Sequence, residues 1–136
     1  MLLIIYNYFF FVTQLHMNNN KLLLTKDHIW IKPLEGNQIQ VGVSDYAQDL
    51  LGDIVFIELK ENELILFGEP FGVIESVKTA SDLVSPCDLK ITRINSELLD
   101  NLTDVNDRPY DSWICEVEAL SSYETMSIDE YEKLVG

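Results

Sequence analysis

The stretch that decides the fold is FGVIESVKTASDLVSP, residues 71–86. Two runs rich in apolar and β-branched residues flank a short polar centre, which is typical of a β-hairpin with a tight turn. The centre contains the only lysine of the stretch, Lys78. By the period-two alternation of a strand, Ser76 and Lys78 share one face, and Val77 points the other way, into the sheet, where it pins the hairpin. The pattern predicts a lysine presented outward at the tip of a rigid hairpin.

The composition is that of one globular domain with a real core. The chain has 136 residues, of which 47% are hydrophobic and 24% charged. Lysine and arginine number 9 against 23 aspartates and glutamates, so the net charge is −14. Without a basic stripe to neutralise phosphates, the chain is not expected to bind nucleic acid, nor an anionic membrane surface. The favoured partners are proteins with basic or neutral docking faces, because the acidic field speeds encounter with them.

Outside the hairpin, the chain shows short apolar runs separated by turn residues. Residues 35–37 separate two such runs and predict a second hairpin. The segment SDYAQDLLGD predicts a short helix that Ser44 or Asp45 caps and that Gly52 ends. Further strands are predicted at IVFIELK, KITRI and SWICEVEAL, a helical turn at SELLDNL, and a C-terminal helix with a capping-box pattern at SIDEYEKLVG. These elements predict a mostly β fold, a flattened sandwich or barrel-like domain with short helices and a C-terminal helix.

The first twenty residues, MLLIIYNYFFFVTQLHMNNN, form a separate segment without Lys, Arg, Asp or Glu. Its apolar run of about 15 residues is short for a membrane span. It also lacks the basic start of a secretory signal and the arginines of a usual transit peptide. Three interpretations stay open: an atypical targeting segment, a buried or interfacial strand, or an upstream extension with synthesis starting at Met17. We therefore divide the chain into residues 1–20, an apolar extension or targeting segment, and a domain over residues 21–136.

Lys78 is the one candidate site that the residues offer. A lysine in a turn is usually a solvated surface residue, but a rigid tip is a shape that a modifying enzyme and several client sites can all recognise. Glu75, Ser76 and Thr79 make its surroundings polar, which does not suit a buried catalytic lysine. The sequence shows no Ser/His/Asp set, Gly-rich phosphate loop or metal-ligand cluster. One site without catalytic apparatus favours a carrier over an enzyme.

Other residues that often carry chemistry are interpreted as structural. His28 has no nucleophile beside it. Cys87 and Cys115 have neither a CxxC spacing nor a histidine at a metal-ligand spacing, so each is predicted to be a small buried hydrophobe, and a disulfide between them stays open. The large aromatic residues are predicted to lie in the core rather than to stack on a ligand. They are Trp30, Tyr46, Phe56 and Trp113.

The segment ESVKTASDLVSP resembles the lipoyl-attachment segment of the glycine cleavage system H-protein family, with Lys78 at the position of the lipoylated lysine. Six further segments resemble segments of that family, in the family's order: TKDHIW, VGVSDYAQDLLGDIVFIEL, GEPFGVIESVK, INSELLDN, VNDRPYDSWI and MSIDEYEKL. Val77 and Thr79 flank the lysine, whereas biotinyl domains favour methionines there and lipoyl domains of 2-oxoacid dehydrogenases usually have Asp before it. The resemblance covers residues 21–136 and implies a lipoyl (biotinyl/lipoyl-type) fold.

The resemblance also implies a carrier function, with lipoate covalently attached to Lys78 and no catalytic residues in the carrier itself. In this family, a pyridoxal phosphate-dependent glycine decarboxylase releases carbon dioxide and passes the aminomethyl group of glycine to the lipoyl-lysine arm. An aminomethyltransferase then transfers the methylene unit to folate and releases ammonia, and dihydrolipoyl dehydrogenase restores the disulfide. A lipoate ligase or transferase supplies the lipoyl group. The implied role is therefore to shuttle the aminomethyl group between two partner enzymes.

Several positions depart from the family pattern. Leu89 stands where the family has a turn glycine, Ile29 stands where it has a glutamate, and PYDSW lacks the usual glycine. Two alternatives therefore stay open: an H-like protein that relays lipoate to other enzymes, and a non-lipoylated scaffold that retains the fold. The family is mitochondrial in eukaryotes and cytoplasmic in bacteria. The Asn-rich and Ile-rich extension favours a eukaryotic copy, with a transit peptide, in the mitochondrial matrix.

Overall fold

The computed structural model describes residues 22–136, so the apolar segment and its three interpretations lie outside the described residues. The described chain contains eight strands, four α-helices and a short 3-10 helix. In chain order they are β1 (Leu23–Leu24), β2 (Ile29–Pro33), β3 (Gln38–Val43), α1 (Asp45–Leu51), β4 (Ile54–Leu59), β5 (Pro70–Ser76), β6 (Ala80–Val84), β7 (Leu89–Ile94), α2 (Ser96–Leu99), α3 (Thr103–Asp107), the 3-10 helix Pro109–Asp111, β8 (Cys115–Ala119) and α4 (Ile128–Val135).

The strands form two antiparallel sheets. One has the order β1-β2-β3-β8-β7 and the other the order β4-β5-β6. Ile31 and Val117 of the larger sheet lie in the same buried core as Ile57 and Ile74 of the smaller one, so the two sheets share a single core. The predicted mostly β fold with short helices and a C-terminal helix is confirmed. Within residues 22–136, the sheets remain two separate layers and do not close into a barrel.

Local sequence explains where the helices begin and end. The hydroxyl of Ser44 accepts a hydrogen bond from the Ala47 N–H at 3.1 Å and so caps α1. Gly52 follows the last residue of α1 with a φ of +86°, a conformation that glycine adopts without strain. At the start of α4, Ser127 and Glu130 form both bonds of the predicted capping box. The three signals found in the sequence are therefore the ones that set these boundaries.

A second, smaller core lies beneath α4. It is built on Leu24, Trp30 and Tyr131. The Trp30 indole N–H donates to the Pro109 carbonyl at 2.9 Å, which satisfies its polar atom inside the core. A β-carbon at Gly42 would overlap the Trp30 ring, so the indole occupies the space that the glycine leaves open. The predicted burial of Trp30 is confirmed.

A buried hydrogen-bond network ties α4 to the rest of the domain. The Tyr131 hydroxyl lies 2.6 Å from His28 Nδ1 and 2.7 Å from Ser44 Oγ. Burial raises the pKa of Tyr131 above its usual value. The Tyr131 hydroxyl therefore joins α4 to His28 and to the residue that caps α1.

The other aromatic residues are less buried than the sequence predicts. Tyr46 and Trp113 are half-buried, and the guanidinium of Arg93 lies 4.8 Å from the centre of the Trp113 ring. Phe56 is 47% exposed, so its prediction as a core residue is wrong. The reason is a β-bulge in β4 between Ile54 and Phe56, which shifts the alternation of inward and outward side chains.

Cys87 and Cys115 are both buried and do not form a disulfide with each other, and the prediction that each is a small buried hydrophobe is confirmed. Burial raises the pKa of Cys87 to about 12 and raises that of Cys115 as well, so neither thiol is a reactive thiolate at neutral pH. Within residues 22–136, no group of three or more His, Cys, Asp or Glu is placed to hold a metal ion. In the same range, no helix has the length and apolar character needed to cross a membrane.

Leu89, which stands in place of a family glycine, is fully buried as the first residue of β7. Its main chain exchanges two hydrogen bonds with Ile65, at 2.8 and 2.9 Å. Among the described non-glycine residues, only His28 and Asn62 have positive φ values, so the leucine occupies ordinary backbone geometry. The departure from the family pattern therefore strains neither the turn nor the strand that follows it.

Candidate functional site

Lys78 lies in the turn between β5 and β6, at the predicted tip of the hairpin. The Ser76 N–H donates to the Thr79 carbonyl at 2.7 Å, which closes the turn. The Ser76 hydroxyl accepts from the N–H groups of Lys78 and Thr79, each at 3.1 Å. Ser76 is buried whereas Lys78 is exposed. A buried serine therefore holds the backbone on both sides of the lysine and leaves its side chain outside.

Val77 does not have the orientation that strand alternation predicts. Its side chain is 66% exposed, and Ser76 and Lys78 do not share a face. The prediction is wrong because alternation stops where β5 ends, at Ser76, and the next residues belong to the turn. Val77 does fix the hairpin, but through its main chain, since its N–H donates to the Asp53 carbonyl at 3.0 Å.

The side chain of Lys78 runs across Gly52. A β-carbon built at Gly52 would lie 2.9 Å from Cε of Lys78 and 3.5 Å from its Nζ. Gly52 has φ +86° and ψ −159°, in a region of backbone space that is essentially restricted to glycine. The end of α1 is therefore shaped to let the lysine stem pass over bare backbone.

Asn106, on α3, holds the loop that supports the lysine. Its side-chain oxygen accepts from the Ile54 N–H at 3.0 Å, and its amide donates to the Gly52 carbonyl at 2.8 Å and to Gln48 Oε1 at 3.0 Å. Sequence reasoning missed this residue, because it is more than 50 positions away from its partners and forms no local pattern. The sequence marks Gly52 only as the residue that ends a helix. No sequence pattern indicates its contact with Lys78.

We expect Gly52→Ala to destabilise the domain by about 1–3 kcal/mol, because alanine rarely adopts this backbone conformation. The new methyl group should also push the Lys78 side chain off the loop. Urea denaturation measures the first effect. Gly68→Ala is a matched control, since Gly68 has a similar φ of +83° but a β-carbon there would meet no described atom within 4 Å. Equal rates of Lys78 acylation in the two variants would show that the contact with Gly52 does not position the amine.

The Lys78 amine has no carboxylate at ion-pair distance among the described residues. The ion pairs there are Arg93–Glu116 and Arg108–Asp104, both distant from the turn in the chain. A modifying enzyme can reach an exposed amine of this kind without breaking an ion pair first. This arrangement suits an attachment point better than a charge partner.

A cleft of about 140 Å³ opens between α1 and the strands β5 and β6. Its lining combines an apolar wall with a few polar residues. The apolar residues are Ile29, Val43, Ala47, Leu50, Leu51, Ile74 and Leu83, and the polar ones are Asp27, His28, Ser81 and Asp82. Because Leu50 and Leu51 directly precede Gly52, the cleft begins beside the loop over which Lys78 lies. An apolar chain with a polar end fits such a lining.

Comparison with known proteins places these features in a family. The family model described as Glycine cleavage H-protein matches residues 22–135, almost the whole of the described chain. The match includes the lysine turn, the Gly52 loop, α3 and α4.

Individual relatives agree with that match. A glycine cleavage system H protein from Halalkalibacterium halodurans is 43% identical over 122 residues, covering 86% of this chain and 94% of the relative. One from Clostridioides difficile is 40% identical over 116 residues, covering 82% of this chain and 93% of the relative. The crystal structure of a glycine cleavage system H protein from Mycobacterium marinum superposes with a TM-score of 0.75 at 30% identity, covering 84% of this chain and 95% of that one. These relatives are bacterial and give no support to the predicted mitochondrial location or transit peptide.

Proposed function

This chain belongs to the glycine cleavage H-protein family, and we propose that residues 21–136 serve as its lipoyl carrier domain, with lipoate joined to Lys78 through an amide. The observation that carries the proposal is the exposed Lys78 amine, which has no ion-pair partner among the described residues and stands on a turn fixed by Ser76 and by the main chain of Asp53. A carrier needs such a fixed point from which a flexible arm can reach several active sites.

The residues around Lys78 fit a lipoyl group. The lysine stem passes over the backbone of Gly52 and the cleft beside it has an apolar wall, so an apolar chain can lie against that wall. Asp27 and Asp82 line the same cleft and can face a cationic group at the end of the arm. When attached, lipoate supplies a strained disulfide that can be opened and reduced.

Attachment requires an activated lipoyl acyl donor, such as a mixed anhydride or a thioester. The neutral Nζ of Lys78 attacks the acyl carbon, a C–N bond forms, and the bond from the acyl carbon to the leaving group breaks. The nitrogen then loses a proton to the modifying enzyme or to water. The described residues place no carboxylate at ion-pair distance from Nζ, so the proton acceptor comes from outside this part of the chain, as a group of the modifying enzyme or as water.

The remaining role of the chain is placement. The partners proposed from the family are glycine decarboxylase, the aminomethyltransferase and dihydrolipoyl dehydrogenase, with a lipoate ligase or transferase for attachment. With a net charge of −14, the surface attracts partners that have basic docking faces. The compartment follows from the source of the chain: the cytoplasm for a bacterial protein and the mitochondrial matrix for a eukaryotic one.

The test is the intact mass of the full chain after co-expression with a lipoate ligase, followed by reconstitution with the three glycine-cleavage partners. We expect one lipoyl increment and lipoate-dependent release of carbon dioxide from glycine. A chain without the increment would be a scaffold that retains the fold. A lipoylated chain that does not support glycine cleavage would be an H-like protein that relays lipoate to other enzymes.

A further inference from the structure

Four large apolar side chains are exposed around the lysine turn. Leu50, Val55, Phe56 and Val77 are between 47% and 66% exposed, and we call them the apolar rim. Single exposed apolar residues are ordinary, but a group of them on neighbouring elements marks an interaction surface. The rim comes from α1, β4 and the turn that carries Lys78.

Backbone contacts bring the rim residues together. Phe56 is the Cα partner of Glu75, three residues before Lys78, and the β-bulge at this point leaves both Val55 and Phe56 exposed. Val77 adjoins Lys78 and is tied by its N–H to the carbonyl of Asp53. This bond joins the turn to the chain just before β4, the strand that carries Val55 and Phe56.

Leu50 completes the rim on the other side of the Gly52 loop. It is the second residue before Gly52, over which the Lys78 stem passes, and it also lines the neighbouring cleft. A protein that reaches Nζ of Lys78 must therefore cover this loop and the turn, and with them Leu50 and Val77. Burying these side chains removes apolar surface from water, which favours association.

Carboxylates border the apolar rim. Asp49 precedes Leu50, the Asp53 carbonyl accepts from Val77, and Glu75 lies opposite Phe56, and all three acidic residues are exposed. An apolar centre with a charged border is the usual anatomy of a protein interface. The complementary surface is apolar in the middle and basic at its edge.

We propose that the apolar rim is the docking surface for the enzyme that acylates Lys78. The inference rests on the proposed function and adds the part of the surface that the modifying enzyme recognises. That enzyme has to approach Nζ more closely than any other partner, since it forms a bond to the nitrogen itself. It therefore has to exclude water from the turn. Burying the exposed apolar rim makes this exclusion of water favourable.

The test compares full-length variants as substrates for a purified lipoate ligase with lipoate and ATP, followed by intact mass at several carrier concentrations. Phe56→Ser combined with Val77→Ser removes two rim side chains from exposed positions. We expect the KM for the carrier to rise about tenfold or more, with kcat changed less than about twofold, because docking is weakened while the amine and its turn are kept.

Phe67→Ser combined with Leu64→Ser is the matched control. Phe67 is 65% exposed and Leu64 is 55% exposed, and both lie in the loop that joins β4 to β5, at the end of the hairpin remote from Lys78. We expect its KM to stay within about twofold of the wild type. Circular dichroism and urea midpoints check that both double variants keep the fold.

Each alternative result has a distinct meaning. A wild-type KM for the rim variant, with normal modification of the wild type, would overturn this inference alone. Normal lipoylation of the rim variant with loss of glycine decarboxylation would assign the rim to the decarboxylase. If the wild type were a dimer and the rim variant a monomer, the rim would be assigned to a second copy of the chain. Both results would contradict the inference. Wild-type chain that gains no lipoyl mass would overturn the proposed function and this inference together.

Discussion

Replacing Lys78 by arginine is expected to abolish lipoylation completely and leave the fold intact. The residue is exposed and the turn depends on its main-chain N–H, which arginine retains. Arginine keeps the positive charge, but its guanidinium remains protonated and cannot attack an acyl donor as an amine does. The variant should therefore support no glycine cleavage in the reconstituted system.

Intact mass after co-expression with a lipoate ligase measures this loss, and circular dichroism checks the fold. Lys90→Arg serves as the control, because Lys90 is also exposed but lies on β7, away from the turn. We expect the control to gain the full lipoyl increment. A lipoyl increment on Lys78→Arg would place the attachment on another lysine and remove the central residue of the proposed function.

Those parts of the fold that depend on local patterns could be predicted from the sequence. The cap at Ser44, the glycine at Gly52 and the capping box at Ser127 each act within a few residues, and each sets a helix boundary at the expected position. The hairpin around Lys78 is equally predictable, since two β-prone runs bracket a short polar turn.

Period-two alternation is less reliable at strand ends and bulges. It predicts an inward Val77, but Val77 is exposed, because β5 ends at Ser76. Phe56, predicted as a core residue from its aromatic character, is exposed as well, because β4 has a bulge before it. No residue type in the sequence marks that bulge. The rule presumes a continuous ladder of strand pairs, and the proposed docking surface lies where that ladder is interrupted.

The support of the site could not be predicted from local patterns, because it comes from distant parts of the chain. Asn106 holds the loop at Gly52, and that loop holds both the stem of Lys78 and, through Asp53, the N–H of Val77. The sequence of one chain shows these supporting residues but not the contacts between them. The lysine is thus presented by the whole domain rather than by its hairpin alone.

This dependence predicts that a peptide of residues 71–86 is a poor substrate for the lipoate ligase, slower than the domain by at least about tenfold in kcat/KM, because an isolated hairpin is marginally stable in water. The peptide keeps Ser76 and its bonds to Lys78 and Thr79, but it lacks Gly52 and Asp53, which fix the turn from outside. The rate of lipoylation of peptide and full chain, measured by mass at equal concentrations, tests this.

Two comparisons separate the role of the fold from that of the local sequence. Full-length Asn106→Ala keeps residues 71–86 unchanged but removes the three hydrogen bonds that hold the loop. We expect its modification rate to fall between those of the peptide and the wild type, because the turn loses part of its support while the rest of the hairpin stays in its sheet. A peptide in which Lys78 is replaced by arginine accounts for background acylation. If the 71–86 peptide were modified as fast as the domain, the ligase would recognise the lysine by its neighbours in sequence, and neither the Gly52 loop nor Asn106 would have a part in presenting it.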